Sequence, residues 1–564
     1  MLAVALIAGT VAAGAAPALA AGPVVHSFSP SSGTIGTKVT ITGSGFTGAA
    51  AVVFGNPAAA TLATVKSDTT ITATVPASAS TGKISVIAPG GTPSSTASFT
   101  VNPGIVLSAA TGHPASTVSV SGAGFRAFEA VDIYFDTADE ALATTTGTGT
   151  FAGITIAVPP WAVPGSHWIT AVGRRSGSAV QTAYTVNTNW AQFHYSTGLK
   201  GANPYENVLS PFNVTGIDED WHFTTGDLVT SSPAVVNGVA YVGSFDDKVY
   251  ALDAATGAKL WSFTTGSHVS SSPAVANRVV YVGSDDGKVY ALKAATGAKL
   301  WSFTTGSDVV NSPTVANGVV YIGSDDSKMY ALNAATGAML WSFKALEGPS
   351  TAAVAGGVVY FDDGIQNVYA LNAATGAKLW TSFIDASSTE PAVANGVVYV
   401  GNQLGNVTAL SAATGAQLWS FAAGSFVFST PAVAGGVVYF GTENGAVFAI
   451  DATTGAQLWY SAIAKIGESS PAVADGVVYI GSTNDNVYAL DASTGAKLWG
   501  FTTGSFIDSS PAVANGVVYI GSEDGNVYAF DLAGGAAAPA RPAISKLRPN
   551  YSLHPQHTAQ AHAA

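Results

Sequence analysis

Nine residues stand out because they interrupt an otherwise regular pattern. His268, Asp308, Glu347, Phe426, Phe428, Glu468, Phe506 and Asp508 each fall a few residues ahead of a short Ser-Ser-Pro-Ala-Val motif or its equivalent. Glu390 directly precedes its proline. Carboxylates, one imidazole and three phenyl rings brought to one place would hold a small ligand, polar groups fixing it and rings covering its apolar body. The plainer reading is drift in loops that nothing constrains. No catalytic residue can be assigned: the chain has no HExxH, no GxSxG and no phosphate-binding loop. It has no cysteine, which excludes disulfides, thiolate metal sites and cysteine nucleophiles. No metal-ligand set is evident. His554, His557 and His562 would bind a metal only weakly, and a solvated tail explains them more simply.

The elements that must position the nine residues follow from one repeat. Trp occurs at 221, 261, 301, 341, 380, 419, 459 and 499, at spacings of 39 or 40. A period near 40 with several strands per unit is the mark of a β-propeller. The unit 269–303 divides into "VSSSPAV", "VVYVGS", "KVYAL" and "AKLWSF", four strands joined by short turns. The first turn is Asn-Gly at 237–238, 317–318, 395–396 and 515–516, suited to a tight hairpin because both residues tolerate positive φ. Arg278 replaces that glycine once and predicts mild strain. Seven units end in a Trp-bearing strand. The eighth supplies three strands after Trp499, and "DEDWHF" at 218–223 is the fourth strand left over. The expected fold is therefore all-β, with an eight-bladed propeller whose last blade is closed by 218–223 pairing beside 526–531. In such blades the second-to-third and fourth-to-first connections share one face. The nine residues then gather near the channel mouth. Asp246–Asp247, Asp285–Asp286, Asp325–Asp326, Asp362–Asp363, Glu443, Asp485 and Glu523–Asp524 make that face acidic. Turn chemistry and solubility account for these acids more simply than a bound cation or basic partner.

The run "ALDAATGAKLW" resembles the tryptophan-docking motif of the pyrroloquinoline-quinone (PQQ) dehydrogenase propellers, and the resemblance covers 218–532. It implies that Trp221, Trp261, Trp301, Trp341, Trp380, Trp419, Trp459 and Trp499 are structural, each packing between neighbouring blades. It implies that Asp253, Thr256 and Gly257, and likewise Asp491, Thr494 and Gly495, organise the preceding turn. Lys293, Asn333, Asn372 and Ser411 depart at the Asp position. The family also implies a quinone over the channel, a bound Ca²⁺, a carboxylate base, an indole under the quinone and, in many members, a disulfide ring above it. Here every propeller Trp is committed to docking, and cysteine is absent.

Upstream, 22–102 carries "PVVHSFSPSSGTIGTKVTITGSGF" and "VPASASTG", which closely resemble the immunoglobulin-like IPT/TIG family. Residues 103–187 read as a divergent second Ig-like copy, sharing "STVSVSGAGF" with "TKVTITGSGF". These β-sandwiches act as spacers or, through Trp161 and Trp168, as binding modules; the spacer reading is the simpler. Residues 188–216 form an ordered lead-in, 217–533 the propeller and 534–564 a disordered tail. Residues 1–21 read as a secretory signal peptide with an apolar core and an Ala-Leu-Ala site, though its basic n-region is missing. No other apolar run is long enough to span a membrane.

Net charge is −13 over the 564 residues, and 217–533 alone carries 27 acidic and 11 basic side chains. That balance excludes nucleic acid as a partner. The sequence thus points to a secreted or cell-surface, non-catalytic binding or scaffold protein, monomeric, with a protein or carbohydrate partner and no cofactor. The alternatives are a PQQ/Ca²⁺-dependent quinoprotein alcohol dehydrogenase with a reduced site, and an envelope protein-assembly propeller like the barrel-assembly lipoprotein of Gram-negative outer membranes. The absent Cys weakens the membrane-anchored form of the last.

Overall fold

A computed structural model of the protein describes residues 22–386, 389–463, 465–534 and 539–548. The signal segment and the three tail histidines lie outside the described residues. Among the described residues, regular structure is β throughout except for two single 3-10 turns, Val214–Gly216 and Ile544–Lys546. Among the described residues no helix is long and apolar enough to cross a membrane.

The first 80 described residues form two sheets packed face to face. One contains Val24–Ser29, Lys38–Ser44, Thr70–Thr74 and Thr64–Ser67. The other contains Ser32–Gly33, Ser94–Val101, Gly82–Ile87, Ala51–Phe54 and Ala60–Leu62. Alternate residues of these strands point inward, so Val39, Ile41, Val52, Phe54, Ile84, Val86 and Phe99 make the core. Residues 104–186 repeat the plan, with a three-stranded sheet against a five-stranded one. The loosely matching stretch after Asp136 includes a strand, Ala138–Thr144, paired with Ala130–Phe135. Buried charge in this second sandwich is compensated. Glu129 accepts backbone N–H bonds from Arg126, Arg175 and Ser176, and Arg174 grips Asp132 at 2.6 Å.

Beyond these modules the described residues make eight antiparallel sheets, each with four propeller strands. Their first strands, from Ala234–Val236 round to Ala512–Ala514, touch in a closed cycle, the last against the first. The second and third strands are buried on both faces by neighbouring sheets, which is why "VVYIGS" and its equivalents read as unbroken apolar runs. The fourth strands are half exposed: in "KLWSFT", Lys299, Leu300 and Ser302 face solvent while Trp301 and Phe303 turn inward. The eighth sheet takes its outer strand from Ile217–Thr224, which pairs antiparallel with Asn526–Leu532. The closure expected from the leftover strand is present. Arg278 sits at φ +66°, where the equivalent turns place glycine near +80°. The left-handed conformation costs an L-residue about 1 kcal/mol or more.

Adjacent sheets are joined by one recurring arrangement. Seven of the eight docking indoles donate their Nε1–H to an alanine carbonyl of the next blade: Trp221 to Ala254, Trp261 to Ala294, Trp301 to Ala334, Trp341 to Ala373, Trp380 to Ala412, Trp419 to Ala452 and Trp459 to Ala492, at 2.8–3.2 Å. A tyrosine hydroxyl from the donating blade reaches the same carbonyl, as Tyr281 does at Ala334 and Tyr439 at Ala492. The motif glycine lies flat on the indole. At Gly257, φ is +68° and a Cβ would collide with Trp221. The turn survives substitution at its Asp: Asn333 and Asn372 accept the same bonds from the following Thr that Asp253, Asp451 and Asp491 accept. Lys293 and Ser411 keep only the backbone bonds of the turn.

One seam differs. The last blade runs "FDLAGG" and never makes the Ala-Thr-Gly turn, because its outer strand comes from elsewhere in the chain. Among the described residues Trp499 finds no such carbonyl, and its ring instead meets that of Phe530 edge-on at 5.1 Å. Tyr479, fully buried, is left with no partner for its hydroxyl.

The lead-in circles the ring. Trp190 exchanges backbone bonds with Val235. Ala191 O, Gln192 Oε1, Thr197 O, Gly198 O, Lys200 O and Gly201 O then accept from Val275, Val315, Val354, Val393, Val433 and Val473 N–H in turn. Asn203 Nδ2 completes the circuit on Val513 O at 2.9 Å. Every inner strand thus has one edge group satisfied by this segment. His194 is buried between the Leu199 and Pro471 carbonyls, and burial pushes its pKa down to about 4. At neutral pH it is uncharged and donates to one of them. Part of the tail, expected to be disordered, is docked: Arg541 lies 4.6 Å over the Trp168 ring, and Gln181 donates to Pro542 O. Trp161 is exposed.

The seams predict unequal costs. Trp301→Ala removes an enclosed indole with its hydrogen bond and should destabilise by about 3–5 kcal/mol in urea unfolding. Trp499→Ala should cost about 1–2 kcal/mol less. Equal losses would contradict the asymmetry described.

Candidate functional site

The channel opens into a cavity of about 410 Å³. Its waist is a ring of hydroxyl-bearing residues just ahead of the inner strands. Backbone N–H bonds pass from each blade to the hydroxyl of the next: Ser232 to Ser272, Ser272 to Ser312 and Ser312 to Thr351, then Thr430 to Ser470, Ser470 to Ser510 and Ser510 back to Ser232, all at 2.9–3.1 Å. The series is broken at one station. There the residue is Glu390, whose Oε2 accepts the Thr430 hydroxyl at 2.6 Å.

A second constant of the repeat fails beside it. Seven blades carry a glycine at the end of their second strand or one residue before it, at 243, 283, 323, 401, 441, 481 and 521, where a Cβ would collide with the neighbouring blade's loop. The fourth blade has Asp362 at this position. Its backbone keeps the standard bond, N–H to Ser350 Oγ. Its side chain is 1% exposed and lines the cavity. Oδ1 accepts from Gly364 N–H at 2.8 Å, and Oδ2 has no partner among the described residues. Burial, reinforced by the negative charges of Glu390 and Asp363, pushes its pKa up to about 7. Asp363 behaves oppositely. Burial works against its charge, but the Asn367 side chain and three successive backbone N–H groups hold its pKa low.

Of the nine residues singled out in the sequence, Glu390, Phe428, Glu468 and Asp508 line this cavity. His268, Asp308, Glu347, Phe426 and Phe506 are exposed on the rim and do not line it. His268 stacks on Phe245 at 4.8 Å, and Phe426 meets Phe428 edge-on. Glu468, Asp508 and Glu523 crowd one another, and burial and this repulsion raise the pKa values of Glu468 and Glu523. Most of the acidic turns are structural. Asp246 accepts from the Tyr250 hydroxyl, from Lys248 and from Gly226 N–H of the adjoining loop, and the pattern recurs at Asp286 and Asp326. Asp362 is not part of an acidic turn; it ends a strand and is buried. Phe193 of the lead-in also lines the cavity.

Comparison with known proteins fits this architecture. The model of the family described as outer membrane protein assembly factor BamB matches residues 167–303, 245–390, 364–465 and 443–538, together well over half of the chain. The chain belongs to this family. The IPT/TIG domain model matches 23–101. No curated protein matches the sequence. Among solved structures, BamB from Moraxella catarrhalis is 18% identical with a TM-score of 0.50, the match covering 56% of this chain and 99% of that one. A europium-containing methanol dehydrogenase is 15% identical with a TM-score of 0.54, covering 61% and 98%. The quinohemoprotein alcohol dehydrogenase ADHIIG from Pseudomonas putida HK5 is 18% identical with a TM-score of 0.54, covering 64% and 82%. At these identities the likeness is one of fold.

PQQ fits the cavity of this BamB-family member poorly. The cofactor carries three carboxylates and needs cationic partners. The cavity presents Asp362, Glu390, Glu468 and Asp508, with no Lys or Arg in its lining. Seven docking indoles are committed to interblade carbonyls, and the eighth, Trp499, packs against Phe530. Among the described residues no three His, Asp or Glu side chains are grouped to hold a metal ion.

The buried carboxyl gives a pH signature. Asp362 ionises near 7 when folded, against an ordinary value of 3.8. Its contribution to stability is fully present below about pH 4 and is lost as pH rises through about 7. Asp362→Asn should therefore gain on the natural protein between pH 4 and pH 8, by up to about 4 kcal/mol in urea unfolding. A pH-independent difference would contradict this ionisation.

Proposed function

We propose that the protein is a secreted or cell-surface, non-catalytic binding protein whose propeller presents its channel mouth to a partner. The observation that carries this reading is the mouth itself: a repeat scaffold complete at nearly every seam, with its departures concentrated in a polar, acidic cavity unsuited to an anionic quinone. The family description, an outer membrane protein assembly factor, supports a protein as the partner and favours an envelope-assembly role as the second reading. The two Ig-like modules act as spacers that hold the propeller away from its point of attachment. Domain limits at 102, 187, 216 and 533 suit this division of labour.

The test is reconstitution. Purified protein supplied with PQQ and Ca²⁺ should show no alcohol-dependent dye reduction above the protein-free control. Sustained turnover would establish the dehydrogenase alternative and overturn the proposal.

A further inference from the structure

Two constants of the repeat fail at adjacent stations, and both failures install a carboxylate. Glycine becomes Asp362 at the end of a strand in the fourth blade. Serine or threonine becomes Glu390 in the hydroxyl ring, at the entry to the fifth. Drift would scatter such changes round eight blades and would not select acids. A buried carboxylate oxygen without a donor is costly, so it persists where something else supplies the donor. Asp362 Oδ2 is such an oxygen, and its side chain lines the cavity.

We propose that this corner of the channel is a binding site for an alkylammonium group, the cation resting between Asp362 and Glu390. The proposal rests on the binding role assigned above and names its ligand chemistry. An ammonium has three donors. Asp362 Oδ2, without a partner among the described residues, can accept one, Glu390 is the adjoining anion, and Thr351 and Thr389 line the same cavity. A metal ion suits the corner less well. Among the described residues no third acid or histidine is grouped with these two, and hydroxyls are weak ligands. The volume, about 410 Å³, is that of a site for an organic molecule. Phe428 and Phe193 provide apolar surface for an alkyl chain and ring faces that attract the cation.

The ammonium can belong to a small amine or to a lysine side chain, and the titration separates them. The full-length protein would be titrated calorimetrically at pH 7.5 with butylamine, with Nα-acetyl-lysine methylamide and with CaCl₂. Saturable heat from at least one amine is expected. A response to butylamine alone would indicate a small-molecule ligand, and a response to both a lysine-bearing partner. Asp362→Gly and Glu390→Ser restore the repeat at each station, so they should leave the melting temperature unchanged or raised. Each should weaken the amine at least tenfold, and the double variant should abolish the heat. Asp362→Asn, which keeps shape and removes charge, serves if the glycine variant fails to fold.

No saturable heat from either amine, unchanged affinity in the double variant, or displacement of the amine by equimolar Ca²⁺ would overturn the proposal. A silent titration beside an inert PQQ assay would remove the ammonium site and leave the non-catalytic reading intact. Turnover with PQQ would remove that reading first.

Discussion

The structure depends on a hydrogen bond from an indole to an alanine carbonyl one blade away. A four-stranded blade is amphipathic on both faces and cannot stand alone, so its stability is that of its seams. At seven of the eight seams the indole and a tyrosine hydroxyl converge on one carbonyl, and a glycine opens the space that lets the turn lie on the ring. These interactions set distance and angle together. They also explain why the turn sequence is so uniform: the carbonyl must be delivered to a fixed point, and the turn's backbone bonds hold it there, with an Asp or Asn side chain adding to them in five of the seven turns.

Closing the ring removes this arrangement from one place. If the outer strand of the last blade comes from upstream, the third strand need not turn back, and the Ala-Thr-Gly element has no reason to exist. Trp499 and Tyr479 keep their residue types while losing their acceptor. The protein thus exchanges one optimal seam for a sheet that holds both ends of the propeller together. Lead-in contacts strengthen this region: Glu206 accepts from Thr188 and from Gly516 N–H in the last blade.

Much of this was legible in the sequence, because the period of the tryptophans and the orphan "DEDWHF" follow directly from the covalent order. The turn at Arg278 and the tolerance of Asn for Asp were legible for the same reason. The site was legible only in part. Looking for polar and aromatic residues in variable loops found Glu390, Phe428, Glu468 and Asp508, but it also gathered rim residues such as His268 and Phe506, since position within a loop does not fix where a side chain points. Asp362 was read as one more turn acid because it stands beside Asp363. Aligning it with Gly243 and Gly283 would have marked it as a strand residue in a place too tight for a side chain. The path of the lead-in left little signal, since most of its bonds to the inner strands, those of Trp190, Ala191, Thr197, Gly198, Lys200 and Gly201, use main-chain atoms, which any sequence supplies.

That path has a consequence for how the ring is counted. Residues 190–203 meet the eight inner strands in the order in which the blades follow one another along the chain, and they are made first. The segment therefore offers one position to each inner strand, taken in chain order. Ring size is then metered by a measured length of extended chain as well as by the wedge angle of the blades. A ninth blade would find no position left on it, and a ring of seven would leave one bare.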